Sequence, residues 1–475
     1  LTTKQGLAVA SVAFVVMLAA PAGIARAQQT LPVPPGAKVT AISPRAGFFN
    51  EPSVAINPKN PEQIAAAFQS PAKVSYSEDA GAHWQPATGT SPTNYNVSGD
   101  VSITYDVRGH AILCYIAFDK LGTPEYWAHN ATRNGIFVRR SLDGGKTWEA
   151  NAAAVDEQST HPNMPFEDKP YVAADNNSTS PFAGNLYVGW TEFSLSKSII
   201  LFSRSTDGGS TWSAAYEIST HEGIPRDDNG AVEGFEAAAG PDGTIYAIWY
   251  DGDSIVMAMS RDGGVTFGPS RKILDTAASY FKVEDVERSD GFPQIGIDPR
   301  AERLFVTWTD YRNGDVDVFC STSSDRGRTW SAATRVNDDP VHDGADQFFQ
   351  WLAVDPASGA AYVVFYDRRG DPENRSAAIV LARSIDGGET FTNYAWTEIP
   401  FDPGGQFIGD YTAIAALNDR VYGAWAYKGS SARSSTPKPS AAERRPEPAR
   451  LSPRSPATVV ELGIADFRTV AGKEQ

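Results

Sequence analysis

Acidic side chains recur at one kind of place in this chain, just ahead of short apolar runs. They are Glu51, Asp100, Asp168, Glu233, Glu236, Asp290, Asp346 and Asp410. A second set closes the apolar runs that follow: Asp119, Glu192, Asp251, Asp310 and Asp367. Carboxyl groups brought close together shift one another's pKa and separate into proton donors and acceptors. Beside them stand Arg312 and the pair Arg368-Arg369, whose planar guanidinium groups suit anionic or hydroxyl ligands. Phe292, Phe348, Phe349, Trp351 and Tyr411 are interleaved. Carboxyls for acid–base work and aromatic faces for stacking together read as a cleft for a sugar. Asp ahead of a strand also caps turns without any ligand, so the reading rests on the number of acids rather than on any single one.

The elements that position these residues are repeats, which are sought first because missing them miscalls the fold. Six turns share the pattern Ser-x-Asp-x-Gly-x-x-aromatic: Ser77 to Trp84, Ser141 to Trp148, Ser205 to Trp212, Ser260 to Phe267, Ser323 to Trp330 and Ser384 to Phe391. Their aspartates are Asp79, Asp143, Asp207, Asp262, Asp325 and Asp386, at spacings of 64, 64, 55, 63 and 61 residues. Asp and Ser side chains bond nearby amides in such turns, Gly takes positive φ, and the aromatic packs between sheets. Around each turn lie short runs rich in Val, Ile, Tyr and Trp, cut by Gly, Asp and Pro, which read as strands. Four strands per period make a propeller blade.

A seventh unit lacks the turn. Residues 411–417, 420–427 and 458–464 supply three strands, and residues 38–42 are expected to supply the fourth, closing the ring and removing a free sheet edge. The all-β fold expected is therefore a β-propeller, with seven four-stranded blades favoured over six. The propeller domain covers 38–428 and 458–470. Residues 429–457 carry six basic and two acidic residues among Ser, Pro and Ala, and are expected to be a disordered insertion. Residues 1–27 read as a secretory signal: Lys4, an apolar run from Leu7 to Ala20, and Ala25-Arg26-Ala27 as the cleavage site. The expected location is periplasmic or extracellular in a bacterium, with no stable membrane span after cleavage.

The formal charge of −16 argues against nucleic acid as a partner. Cys114 and Cys320 fall in repeats two and five, which a ring holds apart, so two buried free thiols are expected. The six histidines have no zinc-ligand spacing. No cofactor is expected. Ca²⁺ is the ion that so many hard oxygens would suit, although no EF-hand run is present. A monomer is expected.

The six turns resemble the Asp boxes, or BNR repeats, of the sialidase superfamily, and the resemblance covers residues 45 to 470. It implies that the Asp boxes lie on the face away from the active site. That site would form from loops leading into first strands and loops joining second to third strands. It also implies a tyrosine nucleophile paired with a glutamate, an aspartate acid/base and three arginines on the sialic acid carboxylate. Tyr411, in Asp410-Tyr411-Thr412, resembles the nucleophile, Glu233 its partner, and Asp100 stands for the acid/base by position. Phe49-Asn50-Glu51-Pro52 is similar to the family's Phe-Arg-Ile-Pro, with Asn50 in place of the arginine. A second clamp arginine is replaced near Tyr250. Asn50, Arg312, Arg368 and Asp410 are the expected substrate contacts. The resemblance implies a secreted glycoside hydrolase acting on sialic acid or another sugar. A non-catalytic propeller binding a glycan or protein is the alternative.

Overall fold

The computed structural model describes residues 30–428 and 458–469, apart from 45–46, 70, 93, 124–125, 160–162, 279 and 398–399. The segments read as signal and insertion lie outside the described residues. Twenty-eight strands form seven antiparallel sheets of four. Blade 1 holds β2 (Asn50–Ile56), β3 (Ile64–Gln69), β4 (Lys73–Ser77) and β5 (Gln85–Pro86). Blade 2 holds β6 (Val97–Tyr105), β7 (Ala111–Phe118), β8 (Asn134–Ser141) and β9 (Ala153–Gln158). Blade 3 holds β10 (Phe166–Ala174), β11 (Leu186–Phe193), β12 (Ser198–Ser205) and β13 (Tyr216–Glu217). Blade 4 holds β14 (Val232–Ala239), β15 (Ile245–Asp251), β16 (Ser254–Ser260) and β17 (Arg271–Asp275). Blade 5 holds β18 (Gln294–Asp298), β19 (Arg303–Asp310), β20 (Asp317–Ser323) and β21 (Thr334–Arg335). Blade 6 holds β22 (Gln347–Val354), β23 (Ala361–Asp367), β24 (Ala378–Ser384) and β25 (Thr392–Ala395).

Blade 7 is assembled from both ends of the described chain: β26 (Ala413–Leu417), β27 (Arg420–Lys428) and β28 (Thr458–Asp466), with β1 (Lys38–Ala41) as outermost strand. Lys38 faces Ile464 and Ala41 faces Glu461 in that pairing. The inner strands pack in succession from β2 to β26, and β26 packs back against β2, so the ring is closed. Six versus seven blades is thereby decided in favour of seven.

Second strands are buried on both faces because each is covered by a neighbouring blade. Trp190, Trp249, Trp308 and Trp425 all lie on second strands and are fully buried. Truncating any one to Ala would cost about 3–5 kcal/mol. Cys114 and Cys320 are buried and unpaired, on β7 and β20. No helix among the described residues is long and apolar enough to cross a membrane.

The Asp boxes follow third strands. Ser141 Oγ donates to Asp143 at 2.8 Å, and Thr147 donates to the same carboxylate from its amide at 3.0 Å and its hydroxyl at 2.6 Å. Gly144 and Gly145 take φ of 79° and 101°, which a side chain would resist. A first strand runs away from the loop leading into it, the second returns and the third runs away again. The boxes therefore sit at the end of the ring opposite those loops. Asp143→Ala should cost about 1–2 kcal/mol through lost turn hydrogen bonds, read as a lowered unfolding midpoint. It should leave ligand affinity at the other face unchanged, and a loss of affinity at unaltered stability would contradict that separation.

Candidate functional site

The site starts from a backbone irregularity repeated around the ring. Five of the seven first strands lose register at a bulge: between Asn50 and Ser53, Gly99 and Ser102, Asp168 and Tyr171, Glu233 and Glu236, and Phe348 and Trp351. Inside the bulges Glu51, Asp100, Lys169 and Phe349 take φ of 47°, 44°, 48° and 52°, and Gly234 takes 80°. Left-handed conformations at non-glycine residues are strained and concentrate at functional sites. An extra residue re-aims the side chains beside it, and here it brings Glu51, Asp100, Asp168, Lys169 and Glu233 together.

Lys169 is the hub. Its ammonium lies 3.1 Å from Glu233, 3.3 Å from Asp227, and 3.6 Å from both Asp168 and Asp410. Arg288, from the loop between blades 4 and 5, bonds Asp227 at 2.7 Å and grips both oxygens of Asp410, one at 2.9 Å. Trp127 Nε1 donates to Asp227 at 2.8 Å, and the Tyr280 hydroxyl donates to Glu233 at 2.7 Å. Gln69 bridges blades 1 and 2: its amide NH₂ donates to Glu51 and its oxygen accepts from the Asp100 amide at 2.8 Å. Seven acids (Glu51, Asp100, Asp168, Asp227, Glu233, Asp290 and Asp410) thus share two cations, and both cations are already bonded.

Burial and crowding set the protonation. Burial, reinforced by the charge of Asp410, pushes Glu51 up to about 8. Burial, then the Glu51 charge, pushes Asp100 up to about 7. Burial, then the Asp227 charge, pushes Glu233 up to about 8. Asp168 and Asp290 are held well above the usual carboxyl range, chiefly by burial. Asp227 goes the other way: burial opposes its ionisation, but Lys169 and Arg288 outweigh it and its pKa is lowered. Burial likewise opposes the Lys169 charge, and the surrounding carboxylates overcome it. Glu51, Asp100 and Asp168 stand near enough to one another to share hydrogen bonds, which form where one carboxyl of a pair carries a proton.

The raised groups bind protons in the fold that the unfolded chain releases, so unfolding free energy falls as pH rises through that interval. Denaturant midpoints should drop from about pH 5 to about pH 8, between the ordinary and the raised pKa values. A flat or rising profile would contradict the protonated cluster.

A cleft of about 360 Å³ opens above this cluster, within the range of sites for small ligands. Asn50, Glu51, Asp100, Asp168, Lys169, Asp227 and Arg288 form its polar part. Phe48, Val97, Leu121, Trp127 and Phe407 form its apolar rim.

Of the residues expected from the sequence, Asn50, Asp100, Glu233 and Asp410 are brought into this cluster or its cleft. Tyr411 is adjacent: its ring lies 5.3 Å from that of Trp351, and Glu51, Asp100 and Asp410 are its charged neighbours. Burial and those three acids hold its phenol well above the usual range. The hydroxyl bonded to Glu233 belongs to Tyr280, not Tyr411.

Arg312 and Arg368 are not brought to the cleft. Arg312 folds back onto Asp310 of its own strand end and lies over Trp308 and Phe319. Arg368 is fully buried and donates to the backbone carbonyls of Asn374 and Glu284, each at 2.7 Å. Sequence reasoning passed over Lys169, Asp227, Tyr280 and Arg288. The signal for Lys169 was its place in the repeat, since Lys169-Pro170 aligns with Glu51-Pro52.

Two carboxyl sets are tight enough to hold a metal ion. In Asp168, Asp227 and Glu233 the Lys169 ammonium already touches all three. In Asp156, Glu167 and Glu192, between blades 2 and 3, Glu167 is satisfied by Gln158 at 2.9 Å and by Trp190.

No protein-family model matches the chain, and no curated protein matches it. Solved structures do. The Hadza microbial sialidase Hz136 is 16% identical, covering 76% of this chain and 70% of its own, with a TM-score of 0.45. The α-L-arabinofuranosidase Arb93A of Fusarium graminearum is 14% identical, covering 80% and 96%, with a TM-score of 0.47. YCF48 bound to D1 peptide is 12% identical, covering 83% and 94%, with a TM-score of 0.43. The seven-bladed propeller itself is established by this chain's own strand pairing.

Proposed function

We propose that this chain is an exported glycoside hydrolase that acts on an extracellular glycan whose bound sugar carries no anionic group. The observation carrying the proposal is the contrast between two carboxyls on one cleft floor. Asp100, half-buried at the surface of the cleft, has its pKa raised to about 7. Asp227 is kept anionic by Lys169, Arg288 and Trp127. Environments that drive paired carboxyls apart assign the acid and its charged partner. Asp100 is then the general acid that protonates the leaving oxygen as the glycosidic bond breaks; water then bonds to the anomeric carbon and its released proton restores the Asp100 carboxyl. Asp227 stays charged to face the positive charge that develops on the sugar ring. The aromatic rim offers faces for stacking.

The charge balance disfavours sialic acid. Both cations in the cleft are saturated by carboxylates, and Asn50 offers an amide where a guanidinium would be needed. Burial, reinforced by three neighbouring acids, holds the phenol of Tyr411 in its protonated form, which makes it a poor nucleophile.

Hydrolysis of a panel of fluorogenic glycosides, neutral sugars and a sialoside, by wild type and Tyr411→Phe tests the reading. Turnover of a neutral glycoside that survives Tyr411→Phe is expected. Sialoside turnover abolished by Tyr411→Phe would restore the tyrosine-nucleophile mechanism. Glycan binding with no turnover on any substrate would make the chain a binding propeller.

A further inference from the structure

Beneath the cleft, on the propeller axis, lies a second cavity of about 40 Å³. It has room for a few water-sized groups. The rings of Tyr171, Phe292, Trp351 and Tyr411 line it, with Trp351 5.3 Å from Tyr411 and 6.4 Å from Tyr171 between centroids. Among these rings sits Glu236, only 3% exposed, whose Oε1 has no hydrogen-bond partner among the described residues. A buried carboxyl oxygen left without a donor is costly and calls for an explanation. Tyr171 hydrogen-bonds this carboxyl, yet among the described residues no ion pair reaches it, whereas the equally unbonded Oε1 of Glu233, three residues earlier, has the Lys169 ammonium 3.1 Å away.

A donor that completes Glu236 must be small and must tolerate aromatic faces on several sides. An anion brings no donor to Oε1, and a hydroxyl brings a single donor and no positive charge to face the rings. A primary ammonium has three donors, one positive charge and a favourable interaction with aromatic faces. The other charged group lining the cavity is Lys169, whose own charge is spent on four carboxylates. We propose that this cavity is a subsite for the protonated amine of an amino-sugar unit, seated on Glu236 while the ring lies in the cleft above. The inference rests on reading the cleft as a glycan site. It makes the substrate class a glycan with free, non-acetylated amino groups: an N-acetyl group loses the charge and two donors and adds bulk.

Calorimetric titration of the full chain at about pH 6 tests it, with methyl glycosides of glucosamine and galactosamine as probes. Their neutral parents and their N-acetyl forms are the comparators. An amine-bearing glycoside should bind at least about tenfold tighter than either comparator. Glu236→Gln, which keeps the shape and removes the carboxyl's ability to ionise against the ammonium, should shrink that preference below about threefold, and Trp351→Phe should reduce it partly. Equal or weaker binding of the amino sugars to wild type overturns the proposal whether or not the variants fold. So does a preference that Glu236→Gln leaves intact. Because the measurement is at equilibrium, the two readings separate. Preference without hydrolysis of any glycoside sinks the hydrolase and leaves the subsite standing. Hydrolysis without preference sinks the subsite alone.

Discussion

Asp100→Asn should lower kcat/KM for an unactivated glycoside by roughly 10²–10⁴-fold, the range for a lost general acid. An amide keeps the size and hydrogen-bonding reach of the carboxyl but cannot donate a proton to the departing oxygen. The pH profile gives the sharper reading. An acid whose pKa is pushed up to about 7 is protonated below that pH and loses its proton above it. Wild-type kcat/KM should therefore fall as pH rises through about 7, and the variant should lack that limb. A good leaving group needs no proton, so a dinitrophenyl glycoside should lose far less than an alkyl glycoside. Equal losses on both substrates would mean that Asp100 positions the sugar rather than protonating it. Unchanged rates would remove it from the chemistry.

Lys169→Met should be the most damaging single change in the cleft for stability. The side chain is 8% exposed and its ammonium lies within 3.6 Å of four carboxylates. Removing one partner from a buried ionic set leaves uncompensated charge, at a cost of about 3–5 kcal/mol. Arg288 remains, but it reaches only Asp227 and Asp410. Asp168 and Glu233 would escape the penalty by staying protonated, so the loss should be smaller near pH 5 than near pH 8. Denaturant unfolding of wild type and variant at both pH values gives the comparison. A loss below about 1 kcal/mol at pH 8, or one that does not depend on pH, would show that the carboxylates relax outward.

The fold was readable because its signal is local and repeated. Each Asp box is eight residues long, and six of them in register fix the period. The closing strand at Lys38–Ala41 followed from counting strands in the last unit. The site was readable only in part, because a ring joins what the sequence separates. Arg288 meets Asp410 across 122 residues and Asp227 across 61. Both Arg288 and Asp227 lie in loops that carry no period, so nothing local marks them. Arg312 and Arg368 misled for the opposite reason: their neighbourhood is local. Arg312 curls back onto Asp310 two residues earlier, and Arg369 does the same to Asp367, which looks in sequence like a presented charge pair. Arg368 turns inward between them and is spent on backbone carbonyls.

The bulge shared by five of the first strands works as a set of sockets with one fitting. Glu51, Asp100, Lys169, Gly234 and Phe349 occupy the same backbone geometry with an acid, a second acid, a base, no side chain and an aromatic ring. Chemistry at the axis can therefore be rewritten by substitution at single positions without rebuilding a loop. The freedom is not uniform. At Gly234 an added Cβ would stand 2.6 Å from the Phe292 ring, so that socket opens only if its neighbour is trimmed at the same step. A propeller of this kind would diversify readily in blades 1 to 3, where the sockets are filled by charged groups facing the cleft. In blade 4 it would diversify only by paired changes.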